Sequence, residues 1–539
     1  MTQLEQLPID TDDLHDHVHA RRWLVLAVLC LSLLIIVMDN TILNVAIPSL
    51  VNDLGASNSE LQWIIDAYVL VFAGLLLTTG SLSDRFGRKG ALQLGIVVFG
   101  LGSAFAALST TTVQLIGSRA FMGIGGALIM PSTLSILTNV FRDPRERGRA
   151  IAVWAGFAGL GVALGPVIGG WLLAHFSWQS VFWVNLPLGA LALVAGAFLV
   201  PTSRDPKQSR LDPIGAGLSI VGLASLLFGI IEGPDKGWGA PAVVAGFAIG
   251  IVALLTFVTW ELRSDHPMLD MRFFKNPRFT AANSAITMTF FAMFGSMFLM
   301  TQYWQFVHGY SALSAGIRMI PYALTMMIAA PLSARAVERL GTKRVVTGGL
   351  LIIAASLFAL SFITATSPYL LVMTMFCVMS VGMGMTMAPA TESVMGSLPR
   401  AKAGVGSAVN DTTRQVGGAL GVAVIGSVVS SVYLHHIDDL AGPFGLSGAA
   451  LTTARESLGG ALQIGQGLGT AGDSFTTAVK DSFVDALSVG LRLSTIVILV
   501  AAFVAWRFLP ARAHDPLADD ARDDTVTDVA AAPAVVGGN

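Results

Sequence analysis

Charge is what this 539-residue chain has least of: Asp, Glu, Lys and Arg together make up 12% of it, against about 25% in a soluble domain. So few charges cannot cover the surface of a soluble protein this long. Hydrophobic residues make up 54% and the mean hydropathy is +0.70, which excludes a disordered chain. A basic surplus is missing too, with 32 Lys and Arg against 34 Asp and Glu, so the electrostatic footprint of a nucleic-acid binder is absent. The only cysteines, Cys30 and Cys377, each lie in a long apolar run, which excludes a disulfide scaffold. No G-x-x-x-x-G-K-[ST] occurs, hence no P-loop for hydrolysing ATP. Gly123-Ile124-Gly125-Gly126 lacks the third glycine of a dinucleotide fingerprint. The apolar runs hold no nucleophile–base or metal-ligand constellation, so an enzyme, a cofactor or a bound metal is not expected. No cleavable signal is expected either: the N-terminus is acidic (Glu5, Asp10, Asp12, Asp13, Asp16) and the first apolar run, from Trp23, is too long for a signal core. A function that needs energy must then draw on an ion gradient.

What is present is an all-α polytopic membrane protein. Apolar runs of about 20 residues, enough to span a bilayer, recur near 23–48, 61–80, 91–109, 113–138, 149–172, 180–200, 212–232, 240–260, 279–305, 313–336, 344–365, 369–397, 404–432 and 486–508. These are fourteen spans. With the N-terminus inside, only Lys236, Arg455 and Lys480 of the basic residues fall in outer loops; Arg119, Arg318, Arg414 and Arg492 lie in spans, and the other twenty-five are inside. An odd error in the count would scramble this bias. Both termini are therefore expected in the cytoplasm, and the protein in the cell membrane among lipids.

An internal repeat divides the spans. Asp84-Arg85-Phe86-Gly87-Arg88-Lys89 matches Glu338-Arg339-Leu340-Gly341-Thr342-Lys343 at an offset of 254. Gly161-Val162-Ala163-Leu164-Gly165 matches Gly417-Gly418-Ala419-Leu420-Gly421 at 256, and Pro131-Ser132-Thr133-Leu134-Ser135 matches Pro389-Ala390-Thr391-Glu392-Ser393 at 258. The nearly shared offset predicts two six-helix bundles, 23–200 and 279–510, around a two-helix insert within 201–278. Residues 1–22 are expected as a cytoplasmic tail, 433–485 as a long outer loop and 511–539 as a disordered tail. Two parallel halves are a transporter architecture, with the substrate site between them near the midplane.

Four motifs carry a family resemblance. Gly80-Ser81-Leu82-Ser83-Asp84-Arg85-Phe86-Gly87-Arg88-Lys89, Arg119-Ala120-Phe121-Met122-Gly123-Ile124-Gly125-Gly126-Ala127, Gly161-Val162-Ala163-Leu164-Gly165-Pro166-Val167-Ile168-Gly169-Gly170 and Met38-Asp39-Asn40-Thr41-Ile42-Leu43-Asn44-Val45-Ala46-Ile47-Pro48 resemble the loop 2/3, span-4, span-5 and span-1 motifs of the major facilitator superfamily, specifically its fourteen-helix drug:proton antiporters. The resemblance covers about residues 21–510. It implies the major facilitator fold, export of small-molecule drugs against an inflow of protons, and an inner gate around Gly80, Asp84, Arg85, Gly87 and Arg88 closed by Asp84. It also implies that Gly161, Gly165, Pro166, Gly169 and Gly170 make a leak-sealing contact that favours exchange. The second copy of the loop motif departs from the pattern, with Glu338 preceding it and no leading glycine.

The residues themselves supply physical reasons. Gly87 permits a tight turn, and a carboxylate near the start of span 13 gains about 0.3–1 kcal/mol from the helix terminus, weak enough to break in each cycle. Positions 161, 165 and 169 put small residues on one helix face, allowing close approach, and Pro166 removes a backbone donor. Ionisable groups inside the membrane are functional candidates by default. At 1.5 Å per residue, Asp39 lies about 25 Å from the inner face, and Asp66 and Arg119 about 9 Å from the outer face. These three share an outer level; Asp411 and Glu392 form an inner group. The expectation is that Asp39 and Asp66 exchange a proton for a cationic drug while Arg119 tunes them, since burial disfavours a charged carboxylate and a neighbouring arginine favours it.

Blander readings stand beside these. Asp39 can simply pair with Arg119, Asp66 can be wet at the interface, Asp411 can be neutralised by Arg414 three residues on, and Glu392 can face cytoplasmic water. Asn44, Trp63, Gln302, Tyr303 and Trp304 are candidates for the substrate pocket, next to the methionines of span 9; Met and Phe are also ordinary lipid-facing filler. Span 10 carries no acid between Gly316 and Arg335, which favours monovalent lipophilic cations or neutral drugs over divalent ones. His15-Asp16-His17-Val18-His19 reads as a solvated tail rather than a metal site, and 447–472 as either a helical hairpin at the membrane surface or a floppy loop. A monomer is expected. The rival functions are a narrow exporter of one metabolite or antibiotic, and a non-transporting lipid-binding or sensor protein on the same scaffold.

Overall fold

The computed structural model describes residues 11–510, apart from 142, 204–211, 266, 268, 270, 396 and 398–402. Among the described residues it is 88% helix with no strands. The helices are α1 (Thr11–Leu54), α2 (Asn58–Phe86), α3 (Arg88–Ala107), α4 (Thr112–Val140), α5 (Pro144–His175), α6 (Ser180–Trp183), α7 (Asn185–Leu199), α8 (Pro213–Lys236), α9 (Pro241–Arg263), α10 (Pro277–Gln302), α11 (Ala312–Arg318), α12 (Ile320–Leu340), α13 (Thr342–Leu360), α14 (Tyr369–Met395), α15 (Ala403–Ala441), α16 (Gly448–Glu456), α17 (Leu458–Gly467) and α18 (Gly472–Phe508). Among the described residues thirteen helical segments are long and apolar enough to cross a membrane. Helix α5 is the remaining membrane-length helix of the fourteen, its apolar stretch being Leu160–His175. Large apolar side chains such as Phe105, Phe198 and Leu370 stand exposed around the bundle, as a bilayer-facing surface requires.

Local chemistry sets the helix ends. Ser57 caps α2 in a capping box with Glu60. Asp212 caps α8 ahead of Pro213, accepting from Gly215 N at 2.8 Å. Gly87 and Gly341, 254 apart, hold the two equivalent turns at φ of +112° and +82°, a region closed to most side chains. Span 10 is broken at Met319, two residues ahead of Pro321, which has no N–H to extend the α11 hydrogen-bond ladder and instead sits in the first turn of α12. The last turn of α10 continues into a π-helical turn, Tyr303–Val307.

Two stretches bear on the sequence reading, the first by taking the helical hairpin rather than the floppy loop at 447–472. Residues 433–485 are helical through most of their length: α15 runs on to Ala441, α16 and α17 form a hairpin, and α18 begins at Gly472. Tyr433 holds that hairpin by donating to Ala454 O at 3.2 Å and Ser457 O at 3.4 Å. At the other end α1 begins at Thr11, so the backbone of His15–His19 continues the first helix instead of forming a tail.

The repeat is visible in the packing. On α5, Gly161, Gly165 and Gly169 press against Val37, Thr41 and Ile42 of α1; on α15, Gly417 and Gly421 press against Thr287 and Phe291 of α10. The halves meet along two equivalent seams, α5 with α11 and α2 with α15. Gly170 lies against Leu313 in the first, and Gly426, 256 residues later, against Gln62 in the second. All of this lies toward the face opposite the basic loops. Hydrogen bonds join the halves there, among them Gln305 Nε2 to Val45 O (3.1 Å), Gln463 Nε2 to Asn52 Oδ1 (2.9 Å) and Ser427 Oγ to Gln62 Oε1 (3.4 Å). Toward the basic face, α15 leaves Asp411 to Val416 partly exposed. The insert is asymmetric: α9 packs on α8, and α8 lies along both α2 and α15, covering one seam.

Candidate functional site

Among the described residues, the membrane interior of the N-terminal half holds one ion pair and one lone acid. Arg119 Nη1 meets Asp39 Oδ2 at 2.5 Å, with side chains 1% and 0% exposed. The other Asp39 oxygen accepts from Asn185 Nδ2 at 2.8 Å, and Asn185 also donates to Ser103 Oγ at 3.1 Å. Ser103 in turn donates to Phe182 O at 2.8 Å. Arg119 Nε donates to Ile64 O at 3.1 Å, and its guanidinium lies 4.5 Å from the centre of the Tyr68 ring. Six helices, α1, α2, α3, α4, α6 and α7, thus converge on one charge-neutral network, in which only Asn185 Oδ1 and the Tyr68 hydroxyl are left without a partner. Glycine makes room for it: Gly123 and Gly126 of α4 sit directly against Tyr68 and Phe72 of α2.

Asp66 is different. It is wholly buried, and neither carboxyl oxygen has a hydrogen-bond partner. Arg119 reaches the α2 backbone at Ile64 but gives its charge to Asp39, so the level shared by the three residues resolves into a pair and a single acid.

The C-terminal half carries a looser pair. Asp411 and Arg414 are 3.5 Å apart on α15. Arg414 Nη2 donates to Thr391 Oγ1 at 2.9 Å and its guanidinium lies 5.7 Å from Phe290. Glu392 is exposed on α14, within electrostatic reach of Arg278. Asn410 Oδ1 and Thr412 Oγ1 are buried without a partner.

At the basic face, Gly80 stands open beside Pro131. Gly87 makes the turn, and Arg88 N donates to Ser203 O at 3.1 Å. Asp84 and Arg85 occupy the last turn of α2, and their side chains lie outside the described residues. On the span-5 motif, a Cβ at Gly165 would collide with Thr41 Oγ1, and one at Gly170 with the α11 backbone at Leu313. Pro166 offers its carbonyl to the surface of Gly316. The motif therefore makes two contacts, one with α1 inside its own half and one with α11 across the seam.

The proposed pocket residues separate. Gln302 lines a narrow crevice of about 10 Å³ at the α2–α15 seam, with Gln62, Ser430, Tyr433, Phe298 and Leu458. Tyr303 and Trp304 are fully buried; Tyr303 donates to Thr364 O at 2.8 Å, and Trp304 stacks on Tyr310 at 5.8 Å. They build the wall of the C-terminal half rather than an open surface. Asn44 donates to Asn40 O on its own helix at 3.3 Å. Trp63 Nε1 points out to α8, donating to Glu232 Oε1 at 3.0 Å.

Sequence reasoning missed Asn185, Gln62 and Glu232. Asn185 is a polar residue between Val184 and Leu186 in an apolar span, a signal of the same kind that singled out Asp39. Gln62 and Glu232 sit at span ends, where polarity is ordinary.

Comparison with known proteins agrees with this architecture. A family model described as the Major Facilitator Superfamily matches residues 29–422. The chain is 36% identical over 488 residues to the multidrug efflux pump LfrA of Mycolicibacterium smegmatis, covering 90% of this chain and 95% of that one. It is 32% identical over 493 residues to the methyl viologen resistance protein SmvA of Salmonella typhimurium, covering 90% and 98%. It is 30% identical over 492 residues to the tetracenomycin C resistance and export protein of Streptomyces glaucescens, covering 90% and 91%. Among solved structures, a bacterial homolog of the human lysosomal transporter Spinster, inward-facing and unoccupied, matches with a TM-score of 0.64 at 20% identity, over 92% of this chain and 99% of that one.

Proposed function

Because this chain belongs to the major facilitator superfamily, we propose that it exports lipophilic small molecules, monovalent cations foremost, in exchange for protons by alternating access. The basic face is the cytoplasmic one, and both termini lie there. The observation that supports proton exchange is Asp66. An ionised carboxylate without partners is costly to bury, so in the closed seam Asp66 carries a proton. Once the halves rock and the seam opens, the same group is free to ionise and hold a cationic cargo. One acid that accepts either occupant, but not both, is sufficient to couple the two flows.

The relatives supply the cargo class: their names speak of multidrug efflux, methyl viologen and tetracenomycin C resistance. Asp84, near the basic-face end of α2, serves as the inner gate, and the bundles 23–200 and 279–510 are the moving bodies. The resistance relative tied to a single antibiotic also favours a narrower reading, export of one compound. A chemically varied efflux panel separates the two, since one exported compound out of many selects the narrower.

The central test uses everted vesicles acidified inside. Wild-type protein accumulates ethidium, an uncoupler abolishes the accumulation, and Asp66→Asn abolishes it, weakens ethidium binding and removes the pH dependence of that binding. Uncoupler-resistant accumulation, or full activity of Asp66→Asn, overturns the reading.

A further inference from the structure

We propose that Glu232, on the first helix of the two-helix insert, is the proton donor to Asp66 from the face opposite the basic loops; the proposal rests on the proton-exchange reading above. The argument starts from the register of α2. Gln62 faces Gly426 and Ser427 of α15, whereas Trp63 and Gly74 face Glu232 and Ile220 of α8. At 100° per residue, Asp66 lies about 40° round the helix from Gln62 and about 60° from Trp63. It therefore points into the wedge between α15 and α8, and α8 is the element that closes this wedge. A wholly buried acid with no partner faces the insert.

Little else on the surrounding helices can load it. Helix α15 has no ionisable side chain between Arg414 and Tyr433, α3 none beyond Lys89, and α8 none before Glu232. On α4, Arg119 is committed to Asp39. Glu232 is the carboxyl on the seam side. It is 15% exposed, is paired with Lys236 at 3.0 Å, and accepts from Trp63 Nε1 at 3.0 Å. Trp63 lies one turn above Asp66, about 4.5 Å along the axis. Asp235 and Glu60 are close enough to feel each other's charge beside it, so the mouth of the wedge is acidic and attracts protons.

In the loading step a proton leaves the Glu232 carboxyl for the Asp66 carboxylate, and Glu232 takes its replacement from water at that face. Asp66 later gives the proton up to water at the basic face when cargo arrives. Within this scheme the insert is a part of the coupling machinery, and α8 keeps Asp66 from lipid while feeding it.

The test uses the full chain in everted vesicles, with ethidium as the cargo probe. Glu232→Gln keeps an acceptor for Trp63 but cannot carry the proton. We expect pH-driven ethidium accumulation to fall about 100-fold, the low end of what a positioned proton donor supplies. Ethidium-for-ethidium exchange, which needs no proton, stays at the wild-type rate, and Glu232→Asp restores the pH-driven mode. Wild-type pH-driven rates in Glu232→Gln overturn the proposal, as does a parallel loss of both modes, which marks a structural role. If the wild type itself fails to couple ethidium to the pH gradient, the exporter reading fails and this proposal falls with it.

Discussion

Arg119 and Asp66 show how one arginine decides the chemistry of two acids. Both acids lie at one level of the membrane, but Arg119 closes on Asp39 and Asn185 takes the remaining oxygen. Breaking a buried pair from one side leaves an uncompensated charge and costs about 3–5 kcal/mol. Asp39→Asn and Arg119→Met should therefore each lower the unfolding midpoint in detergent sharply. The double variant should be milder than either, because it leaves no bare charge; a double loss equal to the sum of the singles refutes the pairing. Asp411 and Arg414 were readable from spacing alone, since i and i+3 neighbours meet on any helix. Asp39 and Arg119 are 80 residues apart, and only the convergence of α1, α4 and α7 selects that partnership over Asp66.

Helix α5 shows what a small-residue face does at the level of an element. Gly161, Gly165 and Gly169 seat α5 on α1, while Gly170 and Pro166 meet α11 across the seam. The four-residue spacing was legible in the sequence; that the motif serves two neighbours was not, because a pattern gives a face and not its occupant. A methyl group at Gly165 has no room beside Thr41 Oγ1 and Met38 O. Overpacking of this kind costs about 1–3 kcal/mol. Gly165→Ala should lower both the thermal midpoint and dye efflux, and Thr41→Ala in the same chain should recover part of each by removing the colliding hydroxyl. No recovery in the double variant counts against the α1–α5 contact as the cause.

For the whole molecule, the balance of buried charge sets the energetics of the cycle. The Asp39–Arg119 and Asp411–Arg414 pairs are each neutral, which leaves Asp66, among the described residues, as the buried acid without a partner on the N-half seam. If a single carboxyl hosts either one proton or one monovalent cation, the exchange moves no net charge. A pH difference then drives it at about 1.4 kcal/mol per unit, and a membrane potential does not. Proteoliposomes given a potassium-diffusion potential without a pH gradient should fail to accumulate ethidium, whereas a pH step at zero potential should succeed. Potential-driven uptake of ethidium requires a second titrating group and rules out the one-acid scheme.

Membrane class, the number of crossings, the doubled architecture and the gathering of basic residues on one face follow from composition, run length and repeat offset. These are local or additive properties: a bilayer demands about twenty apolar residues wherever the chain crosses it. Which acid is paired, which seam the insert covers, and that 433–485 is helical depend on which helix lies beside which. Side chains far apart in the chain meet only after the bundle packs, and a burial or a pairing that exists between two helices is written on neither of them alone.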